Sequence, residues 1–370
     1  MPLTQERAEA RGLAIKRGTI FYDFHVALNS ENYSGFSEIS FELLSIPTEL
    51  PVDFSGKATG VVINGHKAEV KAEEGFLFLD VGLLRVGHNT VGVHYTNSYN
   101  NDGSGCVSFV DVDKKQYIYT QFEPYYANRV FACFDQPDLK AKMRLYVISP
   151  ASWKKVLSNE YAVVEDTLDV YKYYWNTHTH FQGEVKTFLE GKEGRMTIFP
   201  ETKLLPTYLF CYVAGTRSFH LRNHHRINEF FESFFGYKYA FNKYDQIFAH
   251  EYKWGAMENA GIVTFNDLYI FKEKVSTERK LGLANTISHE LAHHWFGNLV
   301  TMKWWDDLWL NESFADFISH SVGEDQGKRA HSQVREQYGF FPATQGMGIP
   351  RRHDDYYSPN PWPSCQYQRC

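Results

Sequence analysis

The sequence His289-Glu290-Leu291-Ala292-His293 decides how this chain is interpreted, and Glu312 follows it after residues 294–311. Residues four apart on a helix lie one turn above each other, so both imidazoles can point to one place. Two histidines, a glutamate and one open position are the ligand set of a catalytic zinc ion rather than a structural one. Glu290, between the histidines, is placed to act as a base on a water activated by the metal.

The residues around this motif predict a helix with one packed face. Ser276 and Thr277 offer N-cap oxygens before it, and Gly297 is placed to end it. Four apolar residues recur at intervals of four and form a stripe roughly opposite the histidines. These residues are Leu283, Ile287, Leu291 and Trp295.

Glu312 belongs to a second segment with helical spacing. Asn311 is its possible N-cap, and Phe314, Phe317 and Ile318 lie on one side of it. The connection between the two segments is long enough for both helices to meet at one metal ion.

The HExxH pattern by itself also occurs by chance, and histidines on a half-buried helix are often hydrogen-bonded core residues. The downstream glutamate favours the zinc site, because its spacing is that of gluzincins. Metzincins are excluded, because they need glycine and histidine at positions that Phe296 and Leu299 occupy here.

Composition is that of a globular protein, with 43% hydrophobic and 16% aromatic residues. A net charge of -6 gives no reason to expect nucleic acid or an acidic membrane as a partner. No signal peptide or transmembrane run is recognised. Five scattered cysteines without a CxxC pair argue against a disulfide framework. We therefore expect a cytoplasmic location.

The pattern of the chain predicts an α+β protein. Residues 18 to about 220 read as short strands between turns, so we expect an N-terminal all-β saddle or sandwich domain over 1–220. Residues 221–343 have helical segments and would form the zinc catalytic domain. Residues 344–370 lack periodicity and are expected to be irregular. The predicted strands are 20–27, 36–43, 76–81, 90–95, 117–122, 143–148, 171–176 and 206–219.

Two further polar segments indicate a substrate. Gly255-Ala256-Met257-Glu258-Asn259 precedes an apolar strand, and such a strand at a cleft edge can pair with an extended peptide. Glu258 would place a carboxylate near the metal. Gln121 and Glu123 follow a strand of the β domain, and together the three polar groups would suit an ammonium group. Each glutamate taken alone would more often be a solvated surface residue.

Taken together, these motifs resemble the aminopeptidase N family of zinc aminopeptidases. The resemblance rests on Gly255–Asn259, on HExxH with Glu312, and on four further stretches. The further stretches are Gln121-Phe122-Glu123-Pro124, Arg129 to Pro137, Trp295-Phe296-Gly297-Asn298-Leu299-Val300-Thr301, and its continuation Trp304 to Glu312. The similarity extends from near the N-terminus to about residue 340.

The resemblance implies a role for each matching residue. His289, His293 and Glu312 would bind one Zn²⁺, and Glu290 would act as the base. Glu258 and Glu123, assisted by Gln121, would hold the free α-ammonium of a peptide. The backbone of Gly255, Ala256 and Met257 would pair with that peptide, with Asn259 completing the motif. The family's β saddle followed by a thermolysin-like domain agrees with a boundary near residue 220.

The resemblance fades near residue 340. Family members continue with helices and with a tyrosine that stabilises the tetrahedral oxyanion, and Tyr356, Tyr357 and Tyr367 lie in a tail without a supporting motif. We therefore expect an incomplete, C-terminally truncated catalytic domain. The loss of an oxyanion donor typically costs about 10²–10³-fold in rate.

The motifs and the point where the resemblance fades leave three functions open. The first is a zinc aminopeptidase that acts on peptides with a free N-terminus. The second is a weak or inactive homologue that binds peptide and zinc without turnover, which the missing tyrosine region favours. The third, a related epoxide hydrolase, rests on fold analogy only and is disfavoured by Gly255-Ala256-Met257. The sequence indicates neither a side-chain preference nor an oligomeric state.

Overall fold

A computed structural model describes residues 3–166, 194–215, 219–222, 226–271 and 273–325 of the chain. The predicted strand 171–176 and the predicted irregular segment 344–370 lie outside the described residues. The α-helices of the described part are α1 (Gln5–Ala14), α2 (Arg226–Phe235), α3 (Thr277–His293) and α4 (Glu312–Asp325).

The strands of the N-terminal part outnumber its helices by far. They are β1 (Phe21–Leu28), β2 (Asn32–Leu43), β3 (Pro51–Asp53), β4 (Lys57–Ile63), β5 (His66–Ala68), β6 (Lys71–Glu73), β7 (Phe76–Phe78), β8 (Gly87–Ser98), β9 (Gly105–Val110), β10 (Gln116–Gln121), β11 (Lys142–Pro150), β12 (Lys155–Ser158), β13 (Val164–Asp166), β14 (Gly194–Phe199) and β15 (Tyr212–Gly215).

These strands form a large sheet and two smaller ones. The large sheet has the order β13-β14-β11-β1-β2-β8-β4-β5, in which only the neighbours β1 and β11 run parallel. A four-stranded sheet has the order β12-β15-β10-β9, and a three-stranded sheet has the order β3-β7-β6. Strand β1 is buried along almost its whole length, as expected for a strand covered on both faces.

Aromatic side chains fill the core beside β1. The ring of Phe24 stacks on that of Phe131 at a centroid distance of 4.0 Å, and Tyr22 meets Phe210 edge-on at 6.0 Å. All four residues belong to one continuous hydrophobic cluster, which also includes Tyr212 of β15. The cluster therefore joins the large sheet to the four-stranded sheet.

The C-terminal part combines a small sheet with three of the helices. Its strands are β16 (Phe219–Arg222), β17 (Asp245–Ala249), β18 (Ala256–Met257) and β19 (Ile262–Asn266), in the sheet order β16-β17-β19-β18. Strands β17 and β19 run parallel, and β18 pairs antiparallel with β19 at the edge. A second hydrophobic cluster includes Phe265 of β19, Leu291 of α3 and Ile318 of α4.

The predicted α+β class is confirmed, with a mostly β part followed by a partly helical part. Strands β1, β2, β8, β10 and β11 lie where the sequence predicts strands. The predicted strand 206–219 is wrong in its first half, because Thr207–Leu209 form a 3₁₀ turn before β15 begins. The apolar strand predicted after Asn259 is β19, and Ala256 and Met257 of the preceding motif form the short strand β18.

None of the helices in the described part of the chain is long and apolar enough to cross a membrane.

Candidate metal centre

Helix α3 carries the two predicted histidine ligands. Ser276 precedes it, and the Ser276 Oγ accepts a hydrogen bond from the backbone N–H of Arg279 at 3.4 Å, which satisfies one of the free donors of a helix start. His293 is buried and His289 is half-buried. The predicted apolar stripe is buried, and it comprises Leu283, Ile287, Leu291 and Trp295.

The three predicted metal ligands converge. The Nε2 atoms of His289 and His293 lie 2.9 Å apart. The carboxylate oxygens of Glu312 lie 3.5 Å from Nε2 of His289 and 3.8 Å from Nε2 of His293. One ligand atom from each residue lies within 4.8 Å of the other two. The side chains are therefore close enough to bind one ion together.

The surroundings of His293 fit a metal ligand. Its Nδ1 lies 3.2 Å from the carbonyl oxygen of Phe296. Because a carbonyl oxygen can only accept, Nδ1 is assigned the proton, and Nε2 then presents a lone pair toward His289 and Glu312. Burial lowers the pKa of His293 below its ordinary value, although Glu312 acts in the opposite direction. Two imidazoles and a carboxylate with free lone pairs match the donor set that zinc takes.

The turn after α3 differs from the prediction. Gly297 is predicted to end the helix, but the last helical residue is His293. The backbone N–H of Asn298 donates to the carbonyl of His293 at 3.0 Å, and that of Gly297 donates to Val300 at 2.7 Å. Gly297 has a φ of +127°, and a Cβ there would lie 3.3 Å from Nδ1 of His293. Glycine suits this position because its φ lies in the left-handed region and the turn passes close to the ring of His293.

Glu312 is the first residue of α4. Asn311 precedes the helix as predicted, but its side chain does not cap it. Among the described residues its Oδ1 has no hydrogen-bond partner, and its Nδ2 donates to the Tyr208 hydroxyl at 3.0 Å. The Tyr208 hydroxyl in turn donates to the carbonyl of Gly297 at 3.1 Å. Sequence reasoning misses Tyr208, because no motif marks a residue so distant along the chain. This buried tyrosine therefore connects the segments that carry the predicted metal ligands His293 and Glu312.

Glu290 lies beside the metal-ligand group and is buried. Its Oε2 has no hydrogen-bond partner among the described residues. Burial raises the pKa of Glu290 well above its usual range, and the nearby Glu258 and Glu312 raise it further. A carboxylate with increased proton affinity beside a metal ion is suited to take up and release a proton.

A second carboxylate group shares Glu312. Oxygens of Glu123, Glu258 and Glu312 all lie within 4.8 Å of one another. Burial raises the pKa of Glu258 to about 8, and Glu312 contributes to the rise. Burial also raises the pKa of Glu123, followed in size by the effect of Glu258. Carboxylates this close repel each other, so the group favours the binding of a cation or of protons.

Glu312 itself behaves differently from these two. Its burial would raise the pKa, but His293 and His289 together hold the pKa of Glu312 below its ordinary value. Glu312 is thus the member of the group that most readily stays ionised, as a metal ligand must.

Gln121 ends strand β10 and is buried. The hydroxyl of Tyr252 donates to Oε1 of Gln121, and Nε2 of Gln121 lies 3.2 Å from the sulfur of Met257. These contacts connect the β domain to the segment that carries Glu258. Tyr252 is a second residue that sequence reasoning misses, because it stands outside every motif.

The predicted peptide-binding segment begins with β18, at the edge of its sheet. Ala256 pairs with Phe265 and Met257 with Thr264, and the carbonyl of Gly255 accepts from the N–H of Asn266 at 2.9 Å. Asn259 is fully buried, and its Nδ2 donates to Oγ1 of Thr264 at 3.3 Å, so it braces the segment. The structure thus brings Glu123 and Glu258 to the metal-ligand group and positions Asn259 as an internal support.

The fold and this site define a class of protein, in which a mostly β domain precedes a partly helical domain with an HExxH helix and a downstream glutamate. Comparison with protein families identifies the class more closely. Residues 22–189 match the Peptidase M1 N-terminal domain, and residues 219–348 match the Peptidase family M1 domain. The chain belongs to peptidase family M1.

Several named aminopeptidases are similar to this chain. Aminopeptidase N of Streptomyces lividans is 35% identical over 327 residues, which is 85% of this chain and 38% of the relative. Leucyl aminopeptidase of Saccharolobus solfataricus is 31% identical over 320 residues, which is 84% of this chain and 39% of the relative. Mitochondrial aminopeptidase 2 of Saccharomyces cerevisiae is 33% identical over 299 residues, which is 74% of this chain and 28% of the relative. The chain therefore spans well under half the length of these relatives.

Proposed function

We propose that this chain is a zinc aminopeptidase, which removes the N-terminal residue from peptides. The observation that carries the proposal is that two groups of side chains share Glu312. One group also contains His289 and His293, and the other also contains Glu123 and Glu258. The first group suits a metal ion and the second suits an ammonium group. Relatives named aminopeptidase N and leucyl aminopeptidase support the same function.

The metal-ligand group would supply the hydrolytic chemistry. His289, His293 and Glu312 would hold zinc, which when bound polarises the scissile carbonyl and activates water. Glu290 would accept a proton from the attacking water on a carboxylate oxygen and deliver it to the leaving amine. Its buried position and raised pKa support this role, because a stronger base holds the transferred proton more readily.

The carboxylate group would select the free N-terminus. Burial raises the pKa of both Glu123 and Glu258, and a neighbouring carboxylate raises each further, Glu258 for Glu123 and Glu312 for Glu258. An α-ammonium between Glu123 and Glu258 would offset both effects by supplying a positive charge. Gln121, held by Tyr252, would add a polar contact. An internal peptide bond brings no positive charge, so it would leave the buried Glu258 and the half-buried Glu123 uncompensated. This difference would make the enzyme an exopeptidase.

The edge strand β18 would orient the rest of the peptide. Gly255, Ala256 and Met257 would offer main-chain groups to an extended substrate, in the manner of β-strand addition. We further propose that residues 1–220 and 221–343 are the two domains and that the chain acts in the cytoplasm.

A turnover assay tests the proposal. The zinc-loaded chain should hydrolyse a fluorogenic aminoacyl amide, and it should leave the N-acetylated form of the same amide intact, because acetylation removes the ammonium. Glu290→Gln should lower kcat by about 10²–10⁴-fold while zinc remains at one equivalent.

Two results would reject the proposal. Equal turnover of the free and the acetylated amide would exclude selection of the N-terminus. Turnover that survives Glu290→Gln would exclude this site as its source. Stoichiometric zinc and amine binding without any turnover would favour a peptide-binding protein instead.

A further inference from the structure

We propose that Asn298 sets the distance between the metal centre and the ammonium-binding carboxylate of Glu258. This inference rests on the proposed aminopeptidase function. Asn298 makes two hydrogen bonds that together span the gap. Its backbone N–H donates to the carbonyl of the metal ligand His293 at 3.0 Å, and its side-chain Nδ2 donates to the carbonyl of Glu258 at 2.8 Å.

The segment around Glu258 needs such support. After Met257 the chain leaves its pairing with β19, and residues Glu258, Asn259 and Ala260 are all buried. Buried carbonyls away from a sheet require other donors. The carbonyl of Asn259 accepts from the backbone of Ile262 at 3.0 Å, whereas those of Glu258 and Ala260 accept from asparagine side chains.

The two asparagines come from different parts of the molecule. Asn159, at the end of β12, donates to the carbonyls of Ala260 and Leu209, each at 2.8 Å. It thereby holds the segment to the β domain. Among the hydrogen bonds that the described residues make to Glu258, Asn259 and Ala260, only that of Asn298 comes from the turn after the metal ligand His293.

Asn298 is itself held in place. It is fully buried, and its own carbonyl accepts from Nζ of Lys140 at 3.0 Å and from Oγ1 of Thr301 at 3.1 Å. Because both backbone groups of Asn298 are hydrogen-bonded, its side chain can hold the Glu258 carbonyl in one place instead of moving with it.

The length of this connection has a chemical consequence. In an aminopeptidase substrate the ammonium and the scissile carbonyl are one carbon apart, so the carboxylate and the metal must keep one spacing. A misplacement of about 1 Å can cost about 10²-fold in rate. Asn298 is therefore a positioning residue, which acts on the substrate through Glu258.

The experiment compares two hydroxamates, an amino acid hydroxamate and the same compound without its amino group. Both bind zinc through the hydroxamate. The Kd of the compound without the amino group, divided by the Kd of the amino acid hydroxamate, therefore measures the contribution of the ammonium site. In Asn298→Ala this ratio should fall by about tenfold or more, because the unsatisfied carbonyl lets Glu258 move. Zinc should stay at one equivalent, since the backbone bond to His293 is unchanged.

The matched control is Asn89→Ala. Asn89 is also fully buried, and its Nδ2 donates to the carbonyls of Arg85 and Gly87 at 2.7 and 2.9 Å, in the β domain. This control should lose stability without changing the Kd ratio. Asn298→Ser, whose hydroxyl is too short to reach Glu258, serves if Asn298→Ala does not fold.

The outcomes separate the two proposals. A wild-type chain that binds both hydroxamates equally would contradict the ammonium site itself. A wild-type preference that persists undiminished in folded Asn298 variants would overturn the role of Asn298 alone. A loss of zinc from these variants would also overturn it, because the effect would then pass through the metal.

Discussion

The group of side chains proposed to bind the metal and the group proposed to bind the ammonium share Glu312, but they are built in opposite ways. His289 and His293 lie one turn apart on a single helix, and Glu312 starts the next helix along. Glu123 follows a strand of the β domain, whereas Glu258 follows β18 in the other domain. The metal group thus depends mainly on local structure, and the ammonium group depends on how two domains meet.

This difference predicts different sensitivities. A change within α3 should act on the metal first. A change at the contact of the two parts should spare the metal and alter the recognition of the substrate.

His293→Ala should have the largest effect. It removes a buried ligand atom and leaves Glu312 without one of the two histidines that hold its pKa low. Zinc should be lost, and activity should fall by about 10³-fold or more, because the metal supplies several kcal/mol of transition-state stabilisation. Metal analysis of the purified variant beside its kcat checks this. Full zinc content with normal activity would show that the ion binds elsewhere.

Glu258→Gln should separate the two groups. The substitution keeps the shape of the side chain but removes the charge that an ammonium would meet. We expect zinc to remain and KM for aminoacyl amides to rise by about 10- to 100-fold, as for the loss of a buried charged partner. Steady-state kinetics with metal analysis measure both quantities. An unchanged KM would remove Glu258 from the ammonium site.

Tyr208→Phe should weaken the metal site from a distance. The hydroxyl that joins Asn311 to Gly297 would be absent, while the ring still packs on Trp305. Loss of such an outer support typically costs about 10–100-fold in metal affinity. Competition with a chelator gives the zinc Kd. Tyr22→Phe, which removes another buried hydroxyl in the β domain, is the control that should leave the zinc Kd unchanged.

The pH dependence should be the mildest effect near neutrality. Burial lowers the pKa of His293, so this ligand stays neutral at pH values where a free histidine is already partly protonated. Below about pH 5 protons should compete with the metal for the ligand histidines, and zinc should be released. Zinc content after equilibration from pH 8 to pH 4 checks this, and undiminished binding at pH 4 would contradict it.

The residues of the metal group can be predicted from the sequence more completely than those of the ammonium group, for a physical reason. Helical periodicity is local, so His289, His293 and the buried stripe on α3 can be inferred from spacing alone. No period connects Glu123 and Glu258, which lie far apart along the chain. Their residue types and neighbouring strands suggest an ammonium site, but each glutamate alone would more often be a solvated surface residue, and only the resemblance assigns their roles. Their meeting depends on the packing of two domains.

The supporting residues are harder still to predict. Tyr208, Tyr252 and Asn298 act through hydrogen bonds to backbone or side-chain groups on other segments. Such bonds leave no pattern in the sequence. The end of α3 at His293 is a related case, because the turn is fixed by bonds to Asn298 and Val300 rather than by the glycine alone.

A crystal structure of the zinc-loaded chain with an amino acid hydroxamate would test the central claim most directly. Anomalous scattering should locate one zinc ion on His289, His293 and Glu312, and the ligand's ammonium should lie within hydrogen-bond distance of both Glu123 and Glu258. A zinc ion on other residues, or an amino group directed into solvent, would contradict the account.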